Sequence, residues 1–280
     1  PMSQHQQEKR RLDRLLANLG YGSRREVASL IARGHVTLEG VPLTDPEKKI
    51  SLDPELTRHM LVDGEALDPL PGLLLVMNKP AGLAVQGGTG TTRHIDALSR
   101  ALVSDTAEKP RLVHRLDKDT SGVLLLARHV AAASELQKAF LAKTIRKTYL
   151  ALVVGVPNPY SGEIESNLDK IARGEDSREM VRSVEEDGKR AITRYRTIEH
   201  LAKKMALVEL EPVTGRTHQL RVHMAEMKCP IVGDGKYGGG VAHVKGGVEL
   251  SGKLHLQAWR IHLPAMFGKP ERTFEAPLAP

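Results

Sequence analysis

The chain has 280 residues, of which 40% are hydrophobic and 27% are charged. It is therefore long enough for one large core or two smaller ones, and disorder is not expected. The formal net charge of +7 favours a polyanionic partner such as nucleic acid. The single cysteine, Cys229, excludes an internal disulfide and a zinc site built from cysteines.

Apolar runs along the chain are all short. The longest are far below the length of a membrane span, and the first residues are polar and basic, without the apolar centre of a signal peptide. We therefore expect a cytoplasmic protein that is neither secreted nor inserted into a membrane. A monomer is the default expectation for the oligomeric state.

Two short helices are predicted near the start of the chain. The first has leucines at amphipathic spacing, namely Leu12, Leu15, Leu16 and Leu19. The second begins with the capping box Ser-Arg-Arg-Glu at 23–26 and ends at Gly34. Short strands are predicted at 35–40 and 61–64, each running into a turn. Together these elements predict a small α/β module over residues 10–67.

Basic side chains are concentrated in the same region. Between Lys9 and Val36 there are seven arginines and lysines and two acidic residues. Such a cluster on the solvent face of a helix pair indicates phosphate contacts, but a charged face is more often only solvated. The charge pattern by itself favours the solvated face.

Three segments of this region resemble a known module. They read Arg-Leu-Asp-Arg-Leu-Leu at 11–16, Gly-Tyr-Gly-Ser-Arg-Arg-Glu at 20–26 and Gly-His-Val-Thr-Leu-Glu-Gly at 34–40. Together they closely resemble the RNA-binding module named after ribosomal protein S-four. This resemblance reverses the preference for a solvated face. It implies binding of structured RNA through Arg14, Arg24 and Arg25.

A second region is predicted after a linker at residues 68–72, where two prolines and a glycine separate periodic segments. The apolar run at 73–77 predicts a central strand buried on both faces. A helix is predicted over 131–140, and polar loops over 172–190 and 236–252. Further strands are predicted at 148–154, 191–198, 206–210 and 254–263. The whole chain is thus predicted to have an α+β fold.

Residues 114–122 read His-Arg-Leu-Asp-Lys-Asp-Thr-Ser-Gly and precede the apolar run 123–127. In an extended segment, the period of two places Arg115 and Asp117 on one face and Leu116 on the other. A cation beside a carboxylate can keep it ionised for chemistry. The same pair can also be an ordinary surface ion pair next to a turn. These residues alone favour neither reading.

Four segments of the second region share an order and spacing with a known family. They read Asn-Lys-Pro-Ala-Gly-Leu at 78–83, the segment at 114–122, Arg-Lys-Thr-Tyr-Leu-Ala-Leu at 146–152 and Gly-Arg-Thr-His-Gln-Leu-Arg-Val-His at 215–223. Together they resemble the RluA-type RNA pseudouridine synthases. The related RsuA-type enzymes have glycine where this chain has His114, and this difference supports the assignment to the RluA type.

The resemblance implies a catalytic domain over residues 73–280, built on a mixed, mainly antiparallel sheet flanked by helices and loops. It implies an isomerase that breaks the N-glycosidic bond of a uridine, turns the uracil and rejoins it through carbon 5. Neither a cofactor nor a metal is implied. The implied partner is RNA, with large-subunit rRNA favoured, tRNA as the alternative, and no obligate protein partner.

Family resemblance also assigns roles to individual residues. It makes Asp117 the essential carboxylate, either as nucleophile or as the group that starts glycosidic cleavage. Arg221, on a strand near the cleft, is expected to support Asp117, and Tyr149 to stack on the uracil and assist proton removal from carbon 5. Arg115 is expected to fill the gap left by the flipped base. Contacts to RNA or supporting roles are implied for His114, Lys79, Lys147 and Arg216.

Two other classes of function compete with this interpretation. A metal hydrolase is raised by His218 and His223, but five residues apart on a strand they would project to opposite faces, and no third ligand follows. A non-catalytic RNA-binding protein would explain the charge and the N-terminal helices. It would leave Asp117, Tyr149 and Arg221 without a role.

Overall fold

The computed structural model describes residues 9–18, 21, 23–50, 60–62, 65–66, 74–88, 93–99, 109–128, 130–171, 180–185, 187–201, 204–243, 250–267 and 269–278. The chain divides into two compact units. One comprises residues 1–75, 98–113 and 126–136; the other comprises residues 76–97, 114–125 and 137–280. The predicted linker at 68–72 lies outside the described residues, and the predicted domain boundaries stay a prediction.

The first unit contains the predicted helix pair, α1 at Leu12–Asn18 and α2 at Arg24–Ala32. At the start of α2, the Glu26 N–H donates to Ser23 Oγ at 3.2 Å, and the Ser23 N–H donates to Glu26 Oε2 at 2.7 Å. The predicted capping box is therefore confirmed. The residue that ends α2, Gly34, has φ 76°, a left-handed conformation that glycine adopts without steric cost.

Six short strands accompany these helices: β1 at Arg10–Arg11, β2 at Val36–Leu38, β3 at Val41–Pro42, β4 at Lys49–Ile50, β5 at Met60–Val62 and β6 at Glu65–Ala66. β1 pairs with β4, and the others form a sheet in the order β3-β2-β5-β6. β2 confirms the strand predicted at 35–40, and β5 confirms the described part of the strand predicted at 61–64. Residues 63 and 64 lie outside the described residues. The predicted apolar stripes form the core of this unit, with Leu12, Leu16, Val27 and Ile31 at 1% exposure or less.

A larger sheet contains β7 at Leu74–Lys79, β8 at Arg111–Leu112, β9 at Ser121–Ala127, β10 at Arg146–Val154, β11 at Ser161–Ile171, β12 at Met180–Ser183, β13 at Lys189–Leu201, β14 at Met205–Pro212, β15 at Leu256–Leu263 and β16 at Arg272–Glu275. The order is β12-β11-β13-β14-β10-β15-β9-β7, with β16 beside β15 and β8 beside β9. β9 runs parallel to β15, whereas β10 is antiparallel to both of its neighbours. The sheet is mixed and mainly antiparallel, so the predicted α+β fold is confirmed.

Two predictions about this sheet are wrong. The run at 73–77 was expected to be central, but within the described residues β7 lies at the end of the strand order, and its Val76 is 43% exposed. A continuous apolar run does not distinguish an edge strand from a central one. The stretch 172–190 was expected to be a loop, but it contains β12 and the start of β13.

Helices of the remaining chain are α3 at Ile95–Leu98, α4 at Val130–Leu141 and α5 at Gln219–Glu226, with a 3₁₀ turn at Gly239–Ala242. α4 confirms the helix predicted over 131–140. None of the described helices is long and apolar enough to span a membrane. α5 contradicts the strand that was expected to carry Arg221, and this difference changes the geometry of the candidate site.

Candidate active site

Asp117 lies on a loop between β8 and β9, and not on the extended strand that was expected. The loop closes as a tight turn, because the Thr120 N–H donates to the Asp117 carbonyl at 3.2 Å. Gly122 then opens β9 with φ 112°, and a Cβ at that position would lie 2.1 Å from the Ala258 carbonyl oxygen. Only glycine permits this approach to β15. The Asp117 side chain itself is 29% exposed.

Lys79 holds this loop from inside. Its side chain has no exposed surface. Its ammonium group donates to three backbone carbonyls, those of Pro80, Leu83 and Lys118, at 2.9, 2.7 and 2.9 Å. Burial lowers the pKa of Lys79 to about 8, opposed by the charges of Asp119 and Asp117. Of the two roles that the resemblance implies for Lys79, the geometry favours the supporting one, because the ammonium group fixes the chain next to Asp117 and does not reach the surface.

His114 also supports the loop. The Leu125 N–H donates to His114 Nε2 at 2.8 Å, and the ring stacks on Phe140 with centroids 5.0 Å apart. Burial, with a smaller contribution from Lys147, lowers the pKa of His114 to about 3, so the ring is neutral. Its Nδ1 is buried as well. Of the two roles that the resemblance implies for His114, the geometry favours the supporting one, because both ring nitrogens face the interior.

The carboxylate of Asp117 opens into a surface cleft. Six of the residues singled out from the sequence line this cleft: Arg115, Asp117, Lys147, Tyr149, Arg216 and Arg221. They come from the Asp117 loop, from β10, and from one segment that comprises α5 and the turn before it. Three separate segments of the chain therefore converge here.

The arginines predicted to bind RNA in the first unit lie on its helices, at Arg14, Arg24 and Arg25.

Tyr149 reaches the cleft from β10 and is 7% exposed. The pairing of β10 with β15 shifts register between Thr148 and Tyr149. A bulge of this kind changes the direction in which a side chain projects, and bulges are common beside active sites. Burial and then the charge of Asp117 raise the pKa of Tyr149, so its phenol stays protonated at neutral pH.

Arg221 has a direct hydrogen-bond partner that the sequence did not indicate, Asp234. Its Nε and Nη2 donate to Asp234 at 2.9 and 2.7 Å, and both side chains are nearly buried. The guanidinium carbon lies 5.0 Å from the centroid of the Tyr237 ring. Burial acts to lower the pKa of Arg221. The hydrogen bonds and charge of Asp234, and then the charge of Asp117, outweigh burial and raise this pKa. Arg221 thus contributes positive potential at Asp117 without being its direct ion-pair partner.

His218 is the residue whose position was misinterpreted. Within the described part of the chain, the basic side chain that lies within 4 Å of the Asp117 carboxylate is His218, at 3.9 Å from Nε2 to Oδ2, and not Arg115. The other ring nitrogen, Nδ1, lies 2.6 Å from Tyr237 Oη. His218 immediately precedes α5 with φ 53°, so the turn directs its ring and helical spacing from Arg221 does not. No local sequence pattern indicated this placement.

Gln219 fixes the turn that carries His218. Its amide oxygen accepts from Thr214 Oγ1 at 2.6 Å and from the Arg216 N–H at 3.1 Å. Its amide nitrogen donates to the Ile192 carbonyl at 2.8 Å and to Thr193 Oγ1 at 2.9 Å. All four hydrogen-bonding positions of this buried amide are thus used. The sequence reasoning assigned no role to Gln219, Asp234 or Tyr237.

His223 does not approach His218 as a metal ligand would. Its Nδ1 lies 2.8 Å from Thr193 Oγ1 and its Nε2 lies 3.0 Å from Ser166 Oγ. Burial lowers the pKa of His223 to about 4. Among the residues that the structure describes, no group of three His, Cys, Asp or Glu side chains is placed to hold a metal ion.

Comparison with known proteins agrees with the geometry. Residues 73–226, more than half of the chain, match the RNA pseudouridylate synthase family, and residues 10–54 match the S4 domain. The chain belongs to the RNA pseudouridylate synthase family. Both resemblances drawn from the sequence motifs are confirmed.

Several named relatives share this assignment. The ribosomal large subunit pseudouridine synthase C of Rickettsia bellii is 40% identical over 199 residues, covering 71% of this chain and 65% of the relative. The mitochondrial RNA pseudouridine synthase 4 of Arabidopsis thaliana is 41% identical over 218 residues, with 70% and 45% covered. This chain therefore spans just under two thirds of the first relative's length, and less than half of the second's.

A solved structure has the same fold. The human RNA pseudouridylate synthase domain containing 4 superimposes with a TM-score of 0.59 at 31% identity, covering 74% of this chain and 85% of that one. This similarity extends over most of both chains, so the fold described above is shared with that protein.

Proposed function

We propose that this chain is an RNA pseudouridine synthase that isomerises uridines in structured RNA. The observation that carries the proposal is the placement of Asp117, half-exposed on a loop held by buried groups, in a cleft with Tyr149 and Arg221. Three motifs distant in the sequence supply these side chains. An ordinary surface ion pair of Arg115 with Asp117, the alternative left open by the sequence, does not explain this convergence.

The reaction is balanced without a co-reactant. The bond from ribose C1′ to uracil N1 breaks, the detached uracil turns, and a bond from C1′ to uracil C5 forms. A proton leaves C5, and N1 gains a proton, so the product has the composition of the substrate. Asp117 must be ionised to begin this sequence, whether it attacks the nucleoside or promotes glycosidic cleavage. His218 Nε2 lies 3.9 Å from this carboxylate, and Arg221 places a positive charge in the same cleft.

Tyr149 suits the role of a stacking surface. Its ring lines the cleft beside Asp117, and its raised pKa keeps it a neutral phenol. A neutral aromatic ring can retain a detached uracil by stacking while the base turns. The raised pKa makes the phenolate scarce at neutral pH, so stacking is better supported than removal of the proton from carbon 5.

Arg115 is proposed to act on the RNA. A uridine in a helix must leave its stack to enter a cleft, at a cost of roughly a few kcal/mol. Arg115 is exposed at the cleft, and its planar guanidinium can stack in the gap or contact the flanking phosphates. Arg216 is exposed at the same cleft, with its Nε donating to the Arg190 carbonyl at 3.1 Å. Lys147 is a third cation lining it.

The proposed substrate is large-subunit rRNA, with tRNA as the alternative. Two observations support this choice: the printed names of bacterial relatives and the match of residues 10–54 to the S4 domain. In that region Arg14 and Arg25 are exposed, whereas Arg24 pairs with Asp13 at 3.3 Å. A cytoplasmic location and a monomeric state complete the proposal.

Tritium release tests the proposal directly. Fragments of large-subunit rRNA and of tRNA, transcribed with uridine tritiated at carbon 5, are incubated with the protein, and released tritium is counted. We expect release from at least one rRNA fragment, and pseudouridine in a nuclease digest of that fragment. Binding without release from any fragment would favour a non-catalytic RNA-binding protein. Release from tRNA alone would assign the substrate to the alternative.

A further inference from the structure

We propose that His218 is a positioning residue for Asp117, and that Tyr237 determines which nitrogen of the His218 ring carries the proton that faces the carboxylate. The inference rests on the proposed function, since it concerns the same carboxylate. It adds two residues to the site and gives the turn before α5 a purpose.

The direction of the hydrogen bonds follows from the contacts of one hydroxyl group. The Val181 N–H donates to Tyr237 Oη at 3.2 Å, so this oxygen is already an acceptor. Tyr237 Oη then has its own proton to donate, and His218 Nδ1 lies 2.6 Å away. A neutral His218 that accepts at Nδ1 carries its proton on Nε2. Nε2 is the atom that faces Asp117 Oδ2 at 3.9 Å.

This distance is longer than a hydrogen bond, but the geometry allows it to close. A movement of about 1 Å in either side chain brings Nε2 and Oδ2 within hydrogen-bond range. Catalytic hydrogen bonds are often long in a ligand-free site and shorten when substrate binds. Because Asp117 is half-exposed on a loop, a small adjustment of its carboxylate needs no rearrangement of the core.

The backbone of His218 supports a functional role. Its φ is 53°, the left-handed region, which is costly for a residue with a side chain. The hydrogen bonds of Gln219 hold this turn, and the Val222 N–H donates to the His218 carbonyl at 3.0 Å as α5 begins. Costly backbone conformations of this kind are concentrated at functional sites. Here the conformation directs the ring of His218 toward Asp117.

Arg221 is less suited to hold Asp117 directly. Both of its described hydrogen bonds go to Asp234, and its guanidinium packs on the Tyr237 ring. Tyr237 therefore serves both groups, with its ring against Arg221 and its hydroxyl on His218. Within the described residues, the donor that the structure presents to the Asp117 carboxylate is the His218 ring.

The charges around His218 favour the neutral ring. Burial lowers its pKa, and Arg221 and Lys236 lower it further, while Asp117 and Asp234 oppose this shift. The net direction is downward, so near neutral pH His218 acts as a neutral donor with a fixed tautomer. Tyr237 faces it from the turn that follows Asp234, and its own pKa is raised by burial first.

The test is single-turnover tritium release from an RNA fragment on which the wild-type protein is active, measured across pH for three variants. His218→Ala should slow release on the order of 10- to 100-fold, as is typical of groups that orient a reactive ligand. RNA affinity should stay within about twofold, because a residue that positions Asp117 does not carry binding energy. His218→Gln should recover much of the rate, since its amide can donate from near the Nε2 position. Tyr237→Phe, which keeps the ring under Arg221, should slow release by about two- to tenfold, because both tautomers become populated.

The pH profile separates positioning from mere structural support. The acid side of the tritium-release profile should move to higher pH in His218→Ala, because the donor that faces the carboxylate is lost, and His218→Gln should restore the wild-type profile. His223→Gln is the matched control, a buried histidine on α5 that does not face Asp117. It should lower thermal stability without moving the acid side of the profile.

The possible failures are distinguishable. If the wild-type protein releases no tritium from any RNA, the proposed function fails. If it is active and His218→Ala matches it in rate and in pH profile, the positioning role is refuted. If the acid side of the profile stays in place in His218→Ala and His218→Gln restores no activity, His218 is only a structural residue and the proposal is likewise overturned.

Discussion

Two aspartates in different parts of the molecule show what distinguishes a structural carboxylate from a reactive one. Asp13, in the helix pair, is 4% exposed. It accepts two hydrogen bonds from Arg11 at 3.1 and 2.9 Å, one from Arg24 at 3.3 Å and one from the Arg14 N–H at 2.7 Å. Asp117 is 29% exposed, and the nearest described basic group, the His218 ring, lies 3.9 Å from its carboxylate. A carboxylate whose oxygens are fully used stabilises a fold, whereas one with free capacity can react.

Asp234 shows that distance from the cleft does not distinguish a structural carboxylate from a reactive one. It lies in the same compact unit as Asp117, yet it is 1% exposed and takes both hydrogen bonds from Arg221. It also accepts from the Tyr237 N–H at 3.2 Å. Because its oxygens are fully hydrogen-bonded, Asp234 resembles Asp13 and not Asp117. The three aspartates therefore give three matched substitutions to asparagine with different expected results.

The largest effect is expected for Asp117→Asn. The amide cannot supply the ionised carboxylate, so tritium release should fall by at least about 10³-fold. RNA affinity and thermal stability should change little, because the carboxylate has few interactions to lose. Asp119→Asn, an exposed aspartate two residues away, is the control and should keep its activity within about twofold. Turnover of Asp117→Asn near the wild-type rate would remove Asp117 from the mechanism.

Asp234→Asn should act mainly on stability. It leaves the buried guanidinium of Arg221 without its charged partner, and breaking a buried pair in this way costs about 3–5 kcal/mol. We expect a lower midpoint in thermal unfolding, with tritium release also reduced because Arg221 and Tyr237 lose their support. A stability equal to that of wild type would mean that Asp234 is not the group that holds Arg221.

Asp13→Asn should weaken the first unit in a manner that depends on pH. Burial alone raises the pKa of Asp13, but hydrogen bonds from Arg11, the Arg14 N–H and Arg24 lower it below its ordinary value of 3.8. The stabilisation is therefore present above the unfolded pKa and is lost as pH falls through the folded value. We expect a loss of about 1.5–3 kcal/mol near neutral pH, as for hydrogen bonds to charged groups.

Thermal unfolding at a series of pH values tests this expectation. The difference between wild type and Asp13→Asn should be constant from about pH 5 to 7 and shrink below about pH 4. A difference that stays constant down to pH 2 would show that the loss comes from packing and not from the ionised carboxylate.

The sequence was sufficient where local rules decide the outcome. The capping box at Ser23, the glycine that ends α2 and the apolar stripes of both helices depend on residues within one or two turns. The convergence of Asp117, Tyr149 and Arg221 was also anticipated, although from family motifs and not from periodicity.

Predictions failed where a side chain's environment depends on distant parts of the chain. Lys79 looks like a surface cation in sequence, but the three carbonyls that bind it come from turns that the fold brings together. Nothing local shows that Asp234, thirteen residues after Arg221, takes both described hydrogen bonds of Arg221, although the guanidinium still lines the cleft with Asp117. The interpretation of His218–His223 as a strand was wrong, because α5 begins at Gln219.

The smallest effect is expected on RNA affinity, from two adjacent arginines of α2. Arg25 is exposed, whereas Arg24 is partly neutralised by Asp13. If the module binds phosphates, Arg25→Ala should reduce the slope of log affinity against log salt by about one, the value for one lost phosphate contact. Arg24→Ala should reduce the slope less, because part of its charge already serves Asp13, and it should lower stability more. Equal slopes in wild type and both variants would mean that this helix face is only solvated, as its charge pattern alone suggests, and that RNA recognition resides in the cleft.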